Sequence, residues 1–390
     1  MANECPGTTD RVRVALILYR DDAAVGGSLR VAQLLGNHLD CKRIEPHFVF
    51  VYGGPGPVTA TSRIPVHFVG ASGPGDLGGW MRIRRLISAL RPEVLHFLNP
   101  VFWANIALFG WRGPRINHLH GPLPQKIAGF RDRLVWGSFR ISMTRHVCVS
   151  KEVEDCAVRI GAARSDSLCT IYNAIDCAEY RNLPESQEAR AHLGLPKEAH
   201  LLGMICRLVP EKGCLDGIRL LTYLPSDVHL VICGKGPQME ELKSCVASEE
   251  MEDRVHFLGS HESVLPVYAA IDDLLFLSKD EPFGLVIAEA MASGVPVVGV
   301  AGKGGYSDLE YPLVTHDNAL LLRPTKPLTR NEPVPDRLLI DLAQAILSLR
   351  SSQVARFSMA NRAQMWVKER FDVTRQAEQM TNLYESVVGV

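Results

Sequence analysis

Apolar residues in this chain fall into short unbroken runs separated by amphipathic stretches. The runs Val12–Tyr19, Pro46–Tyr52, Pro65–Gly70, Val94–Phe97, Arg115–Leu119 and Val147–Val149 have the length and composition of buried strands. Between them, Ser28–Leu39 and Gly79–Leu90 are helical in pattern; in the second, Ile83, Leu86, Ile87 and Leu90 share one face. Such βα alternation predicts a parallel, doubly wound sheet. The pattern then breaks. Tyr180–Leu195 is polar, is punctuated by Pro184 and followed by Pro196, and holds no strand, which reads as a linker carrying one short helix. Alternation restarts with strands at Leu201–Cys206, Val228–Cys233, Val255–Leu258, Leu274–Leu277 and Val295–Val300. The expected architecture is α/β: two Rossmann-like domains, 1–178 and 197–368, joined by a linker at 179–196 and facing a central cleft. Ligand is expected at the carboxyl ends of the strands. Residues 323–337 read as an exposed Pro-rich loop, and 336–390 as helical in pieces.

Composition narrows the classes. The chain has 390 residues and a formal net charge of −1, so whole-molecule attraction to nucleic acid is not expected. The charge is unevenly divided: residues 1–178 hold 21 Lys and Arg against 14 Asp and Glu, and residues 179–390 hold 21 against 29. An N-terminal half of this sign fits an anionic acceptor or membrane surface, or is plain surface decoration. The ten cysteines show no metal-binding spacing, and several lie in apolar runs, the pattern of a reducing compartment. The first ten residues lack the basic and apolar regions of a signal peptide, and no run of apolar residues is long enough to span a bilayer. A cytoplasmic location is expected.

Candidate chemistry concentrates in Glu281–Gly299, EPFGLVIAEAMASGVPVVG. Two acids, Glu281 and Glu289, flank Pro282-Phe283-Gly284 and the start of a helix that Gly294 and Pro296 end. Free N–H groups of Gly284, Leu285 and Val286 at a helix N-terminus suit a phosphate, and carboxylates suit sugar and ribose hydroxyls. The plain alternative is a turn followed by a solvated helix. Arg207 and Lys212 lie just past the strand Leu201–Cys206; two fixed cations there can hold a diphosphate, or be ordinary loop charges. Gly234 and Gly236 follow the next strand. Gly26-Gly27 opens the first helix and lets backbone approach a phosphate, yet it is not the dinucleotide fingerprint. His118 and His120 end a strand.

The stretch Glu281–Gly299 resembles the E-x7-E motif of the retaining GT-B glycosyltransferases of family 4. Arg207-x4-Lys212-Gly213 resembles that family's basic pair, Gly234-Lys235-Gly236-Pro237 its G-x-G-P turn, and Gly26-Gly27 its glycine loop. The resemblance runs from Gly26 to about Leu322. It implies transfer with retention from a nucleotide-sugar donor, UDP- or GDP-linked, to a hydroxyl acceptor, which a polysaccharide or other saccharide, a lipid-linked compound or a small molecule would each fit, without metal or other cofactor. It also implies roles. Arg207 and Lys212 would stabilise the departing diphosphate, Glu281 would hold the sugar and Glu289 the ribose. His120 would touch the donor sugar, and backbone near Leu258 would read the base. Phe283, Gly284, Leu285 and Val286, with Gly26, Gly27, Gly234 and Gly236, would line the donor site. Asn173 and Asp176 would shape the hinge, and the helix of residues 369–390 would cross back onto the first domain.

Two departures stand out: Asp308 replaces the usual Glu after Gly304-Gly305, and Asn318-Ala319 replaces Asn-Gly. Asp272-Asp273 is a weak metal candidate. Trp80, Met81, Arg82, Arg84 and Arg85, with Phe102, Trp103, Phe109 and Trp111, suit either a membrane-interfacial surface or a core-facing helix with a basic outer face. A nucleotide-sugar epimerase, a silent sugar-nucleotide binder and a nicotinamide oxidoreductase are the rival classes; the last lacks its fingerprint.

Overall fold

The computed structural model describes residues 11–22, 27–98, 101–121, 123–124, 127, 129–304 and 313–389. The chain forms two compact units: residues 1–175 with 372–390, and residues 176–371. The first unit runs β1 (Val12–Arg20), α1 (Gly27–His38), β2 (Ile44–Tyr52), α2 (Pro57–Thr61), β3 (Val66–Ala71), α3 (Leu77–Leu90), β4 (Val94–Phe97), α4 (Phe102–Ala107), β5 (Arg115–Leu119), α5 (Phe130–Ser142), β6 (Arg145–Cys148), α6 (Lys151–Arg159) and β7 (Leu168–Thr170). The second runs α7 (Ser186–Leu193), β8 (His200–Ile205), α8 (Cys214–Leu221), β9 (Val228–Cys233), α9 (Met239–Ser248), β10 (Val255–Gly259), α10 (Leu265–Ala270), β11 (Asp273–Phe276), β12 (Asp280–Glu281), α11 (Leu285–Ala292), β13 (Val297–Val300), β14 (Lys303–Gly304), β15 (Leu320–Leu322), α12 (Asp336–Ser351) and α13 (Gln353–Arg370). The last helix, α14 (Val373–Val388), belongs to the first unit.

The first sheet has seven parallel strands in the order β3-β2-β1-β4-β5-β6-β7. Its strands read as near-continuous apolar runs because both faces are covered, as parallel sheets require. Val14, Leu16, Phe48 and Ile116 face one side and pack with Leu35 of α1 and Met380 and Tyr384 of α14. Ala15, Ile17, Val49 and Phe97 face the other and pack with α3, α4 and α5. Asp372 caps α14, accepting from Thr374 N at 3.0 Å, and Val373 N donates to Ile175 O at 2.9 Å, so the helix enters against the end of the β7 segment.

The second sheet runs β10-β9-β8-β11-β13-β15, again parallel. Its core joins Met204, Leu230 and Leu275 to Ile218 of α8, Leu242 of α9 and Leu342 of α12. The segment 179–196, expected as a linker, folds as a short turn and α7, and α7 packs on α10 within the second unit.

Three side-chain expectations change. Trp80 and Trp103 meet with tilted rings, centroids 5.3 Å apart, and Trp80 packs against the apolar core of the first unit. Arg82 donates to Val69 O and Gly70 O, both at 2.8 Å, and Arg84 to Ala107 O. Trp80, Phe102 and Trp111 of that group therefore pack against the core, while Phe109 stays exposed. Asp273 is fully buried and satisfied by Arg356 at 2.8 Å and His200 at 2.7 Å, which spends the carboxylate that a metal would need. Among the described residues eight cysteines are free thiols, but Cys41 is disulfide-bonded, a departure from the reducing-compartment pattern.

Candidate active site

In the second sheet the strand order reverses between β8 and β11. Connections leave these two neighbours in opposite directions, so a crevice opens at their carboxyl ends, where ligands bind in open α/β sheets. Arg207 and Lys212 follow β8; Ser278 and Glu281 follow β11. Lys212 Nζ bonds Glu281 Oε2 and lies 3.4 Å from Ser278 Oγ, which itself lies 3.4 Å from Glu281 Oε2. Both charged side chains are less than a fifth exposed, at 18% and 17%. Arg207, by contrast, is exposed and has no ion pair among the described residues.

Local sequence explains why these loops hold still. Lys279, between Ser278 and Asp280, is buried and pairs with the buried Asp216 of α8 at 2.9 Å. Asp216 also accepts from Val334 N at 3.0 Å and Arg219 at 2.8 Å, so this buried ion pair has the extra partners it needs. Lys279 N donates to Glu211 O at 2.8 Å, tying the two loops together. The third loop closes in from β9. Leu208 N donates to Lys235 O at 3.0 Å, Gln238 N to Leu208 O at 3.1 Å, and Gly234 N to Gly259 O at 2.7 Å. Gly234 has φ +149°, and a Cβ there would stand 1.8 Å from Cys206 O, so only glycine allows this approach.

Glu281 is fixed by its backbone as well: β12 pairs with β14 in register Asp280↔Lys303 and Glu281↔Gly304. Gly284 follows with φ +95° and starts α11. Among the described residues the N–H groups of Gly284, Leu285 and Val286 meet no acceptor, which leaves them to a ligand or water. Glu289, one turn further on, accepts from Tyr268 Oη at 2.8 Å. Tyr268 is buried, with its ring edge-on to Tyr180 at 5.9 Å; burial, then the Glu289 charge, push its phenol pKa up. Phe283 turns its ring into the core against Phe371 at 5.5 Å, so only its backbone remains for a ligand. Leu258 lies half-buried on the edge strand β10.

The second unit thus gathers Arg207, Lys212, Glu281, Glu289, Gly234, Gly236, Gly284, Leu285 and Val286 at the carboxyl end of one sheet. Two side chains escaped sequence reasoning. Ser278 and Tyr268 orient the two acids, yet Tyr268 lies 21 residues before Glu289, and no spacing rule links a core tyrosine to a later carboxylate.

His120 and Gly27 belong to the first unit; Gly26 and Asp308 lie outside the described residues. His120 stacks on His118 at 4.0 Å, and His118 on His96 at 5.3 Å. His96 Nδ1 lies 2.6 Å from Tyr384 Oη. Both ring nitrogens of His118 and of His120 are buried without a hydrogen-bond partner among the described residues. Burial pushes His96 and His120 down to about 3 and His118 well below its ordinary value, so the column is neutral. Asp176 caps the turn that follows it, accepting from Ala178 N at 3.0 Å. Asn318 is buried and holds its loop through Thr315 N at 2.8 Å and Leu313 O at 3.2 Å.

Two Rossmann-like sheets, with a cationic pair and two acids at the switch point of the second, define the class of GT-B glycosyltransferases. Residues 185–327 match the family of glycosyl transferases group 1, and residues 25–179 match glycosyltransferase family 4. The chain belongs to this family. It is 33% identical over 137 residues to N-acetyl-alpha-D-glucosaminyl L-malate synthase of Bacillus anthracis, which is 35% of this chain and 36% of that protein. It is 27% identical over 234 residues to the GDP-mannose-dependent alpha-mannosyltransferase of Corynebacterium glutamicum, 57% of this chain and 54% of that one. The matched regions span about a third to a half of these curated relatives. Anabaena HepE, solved with UDP and glucose, superposes with a TM-score of 0.81 over 96% of this chain and all of that one, at 23% identity, a likeness of fold.

Proposed function

We propose that this protein transfers a glycosyl unit from a nucleotide-sugar donor to a hydroxyl acceptor, with retention at the anomeric carbon. The observation that carries the reading is the Lys212–Glu281 pair, with Arg207 beside it in sequence, at the switch point of the second sheet. Departure of a nucleoside diphosphate builds negative charge on its terminal phosphate. Arg207 and Lys212 meet that charge with fixed cations, and the N–H groups of Gly284, Leu285 and Val286 meet it with the positive end of α11. Glu281 holds hydroxyls of the sugar, and Glu289, oriented by Tyr268, holds the ribose. The acceptor hydroxyl attacks the anomeric carbon on the face the diphosphate leaves. A phosphate oxygen takes its proton, so no protein base is needed and the configuration is kept.

The role at the donor sugar that the family resemblance gives His120 requires its buried ring nitrogens to be uncovered. The two cations supply the charge a divalent ion supplies elsewhere, so activity is expected in chelator. The neighbour HepE was solved with UDP-glucose and a curated relative uses GDP-mannose, which supports a UDP- or GDP-linked donor. The acceptor is a hydroxyl compound of the saccharide, lipid-linked or small-molecule class, and the setting is cytoplasmic, peripheral to the inner face of the membrane.

The test is product analysis. Incubation with UDP- and GDP-sugars and candidate acceptors in EDTA, followed by NMR of the new anomeric centre, is expected to show the donor's own α or β configuration. An inverted product, or a free epimerised nucleotide sugar without transfer, overturns the reading.

A further inference from the structure

Exposed apolar residues are normal when scattered and informative when they share a face. Helix α5 turns its apolar stripe outward. Phe130, Leu134 and Ile141 are 79%, 52% and 85% exposed, and with Gly137 they recur at i, i+4, i+7 and i+11, one line along a helix. Only Phe139 of this helix is buried. Arg133 and Arg140 flank the stripe on one side and Arg131 on the other, all exposed. Asp132, the one acid of the helix, falls on the far side by the same spacing.

The neighbouring helices continue the pattern. Helices α3, α4 and α5 cover one face of the first sheet, with α4 touching both others. Leu77 and Met81 of α3 and Phe109, just past α4, are exposed large apolar residues of the same layer. Residues 77–142 contain ten Lys and Arg but only two acids, Glu93 and Asp132. Apolar side chains standing in a field of one sign fit a surface that is apolar within and anionic at its rim.

We propose that the α3–α4–α5 layer of the first unit, centred on the Phe130–Leu134–Ile141 stripe, docks on an anionic lipid membrane. The aromatic side chain of Phe130 and the branched chains of Leu134 and Ile141 enter the acyl boundary, while Arg131, Arg133 and Arg140 meet lipid phosphates. This rests on the peripheral-membrane part of the reading above and gives it a surface; it is independent of the sugar chemistry in the second unit. It also moves the contact away from Trp80, which packs against the core.

The experiment is flotation of the full chain with phosphatidylcholine vesicles, with and without phosphatidylglycerol, at low and high salt. Two triple variants accompany it: Phe130→Ser/Leu134→Ser/Ile141→Ser and Arg131→Gln/Arg133→Gln/Arg140→Gln. The protein is expected to float only with phosphatidylglycerol and to be released by salt. One basic residue near such a surface is worth roughly fivefold in partitioning, so the arginine variant should bind about a hundredfold more weakly. The apolar variant should also detach, while its melting temperature and its nucleoside-diphosphate binding stay unchanged. Retained nucleotide binding separates failure at this surface from failure of the transfer reading. No flotation at low salt, or flotation that neither variant weakens, overturns the proposal. So does concentration-dependent self-association, abolished by the apolar variant, in a protein that does not float; the stripe would then cover a second copy.

Discussion

Lys212 Nζ is bonded to Glu281 Oε2, so the cation proposed for the leaving diphosphate and the acid proposed for the sugar neutralise each other before any ligand arrives. Each is mostly buried, and each would be costly to leave alone. Lys212→Met is expected to lower transfer by about a hundred- to a thousandfold, the loss typical of one preorganised charge. It should also cost ~1–3 kcal/mol of stability, because Glu281 loses its partner. Adding Glu281→Gln should restore much of the stability and none of the activity. A double-mutant cycle in urea, run beside the transfer assay, reads both; activity regained together with stability would mean that the pair is only structural.

The bond from Tyr268 to Glu289 makes a separate prediction. Tyr268→Phe keeps the ring against Tyr180 and removes one hydrogen bond to a charged group. A loss of ~1.5–3 kcal/mol in stability is expected, with weaker nucleotide binding and little change in the turnover of bound donor. Isothermal titration of the variant against the wild type measures the first effect. Unchanged nucleotide affinity would remove Glu289 from the ribose site.

Gly234→Ala should be among the most damaging single-atom-scale changes in the second unit. The added carbon would stand 1.8 Å from the Cys206 carbonyl oxygen, directly before Arg207, and the backbone must move. A cost of ~3 kcal/mol is expected, together with loss of nucleotide binding, read from the denaturation midpoint and from titration. A cost under ~1 kcal/mol, well inside the range of ordinary substitutions, would show that the Arg207 loop yields freely.

The histidine column predicts acid lability of the first unit. Burial holds His96 and His120 near 3 and His146 near 4, with His118 lower than its ordinary value as well. In the unfolded chain each titrates near ~6.5, so below that pH the unfolded state binds protons that the folded state refuses. Stability is therefore full above ~6.5 and falls as pH drops toward ~4, by about 1.4 kcal/mol per pH unit for each such histidine. His118→Phe, an apolar ring of similar size, should flatten this slope by one histidine's worth. Melting temperatures between neutral pH and pH ~5 test it; an unchanged slope would mean the column is not the source.

The sequence pattern located most of the sheet strands because a strand buried on both faces must be apolar throughout. β4 and β5 fall where the runs Val94–Phe97 and Arg115–Leu119 put them. The acids and cations of the candidate site were legible through the resemblance of Glu281–Gly299 and Arg207–Gly213 to family 4 motifs, since spacing alone left a plain turn and ordinary loop charges open. Shorter elements escaped: β7, Leu168–Thr170, is a three-residue edge strand without a periodic signature. Helix α5 escaped for the opposite reason, since its apolar residues point outward and no amphipathic rule for a core-facing helix applies. The partners Tyr268, Ser278 and the buried Lys279–Asp216 pair join residues far apart in the chain, which only the finished fold brings together.

The most direct test of the central claim is thermal stabilisation by UDP, GDP, ADP and dTDP in EDTA, for the wild type and Glu289→Ala. A ligand at a hundred times its dissociation constant stabilises its site by about 2.7 kcal/mol. The account predicts a clear shift with one of these nucleotides, independent of added magnesium and reduced by Glu289→Ala. Absence of a shift with all four, or a shift that appears only with magnesium and ignores Glu289→Ala, would contradict it.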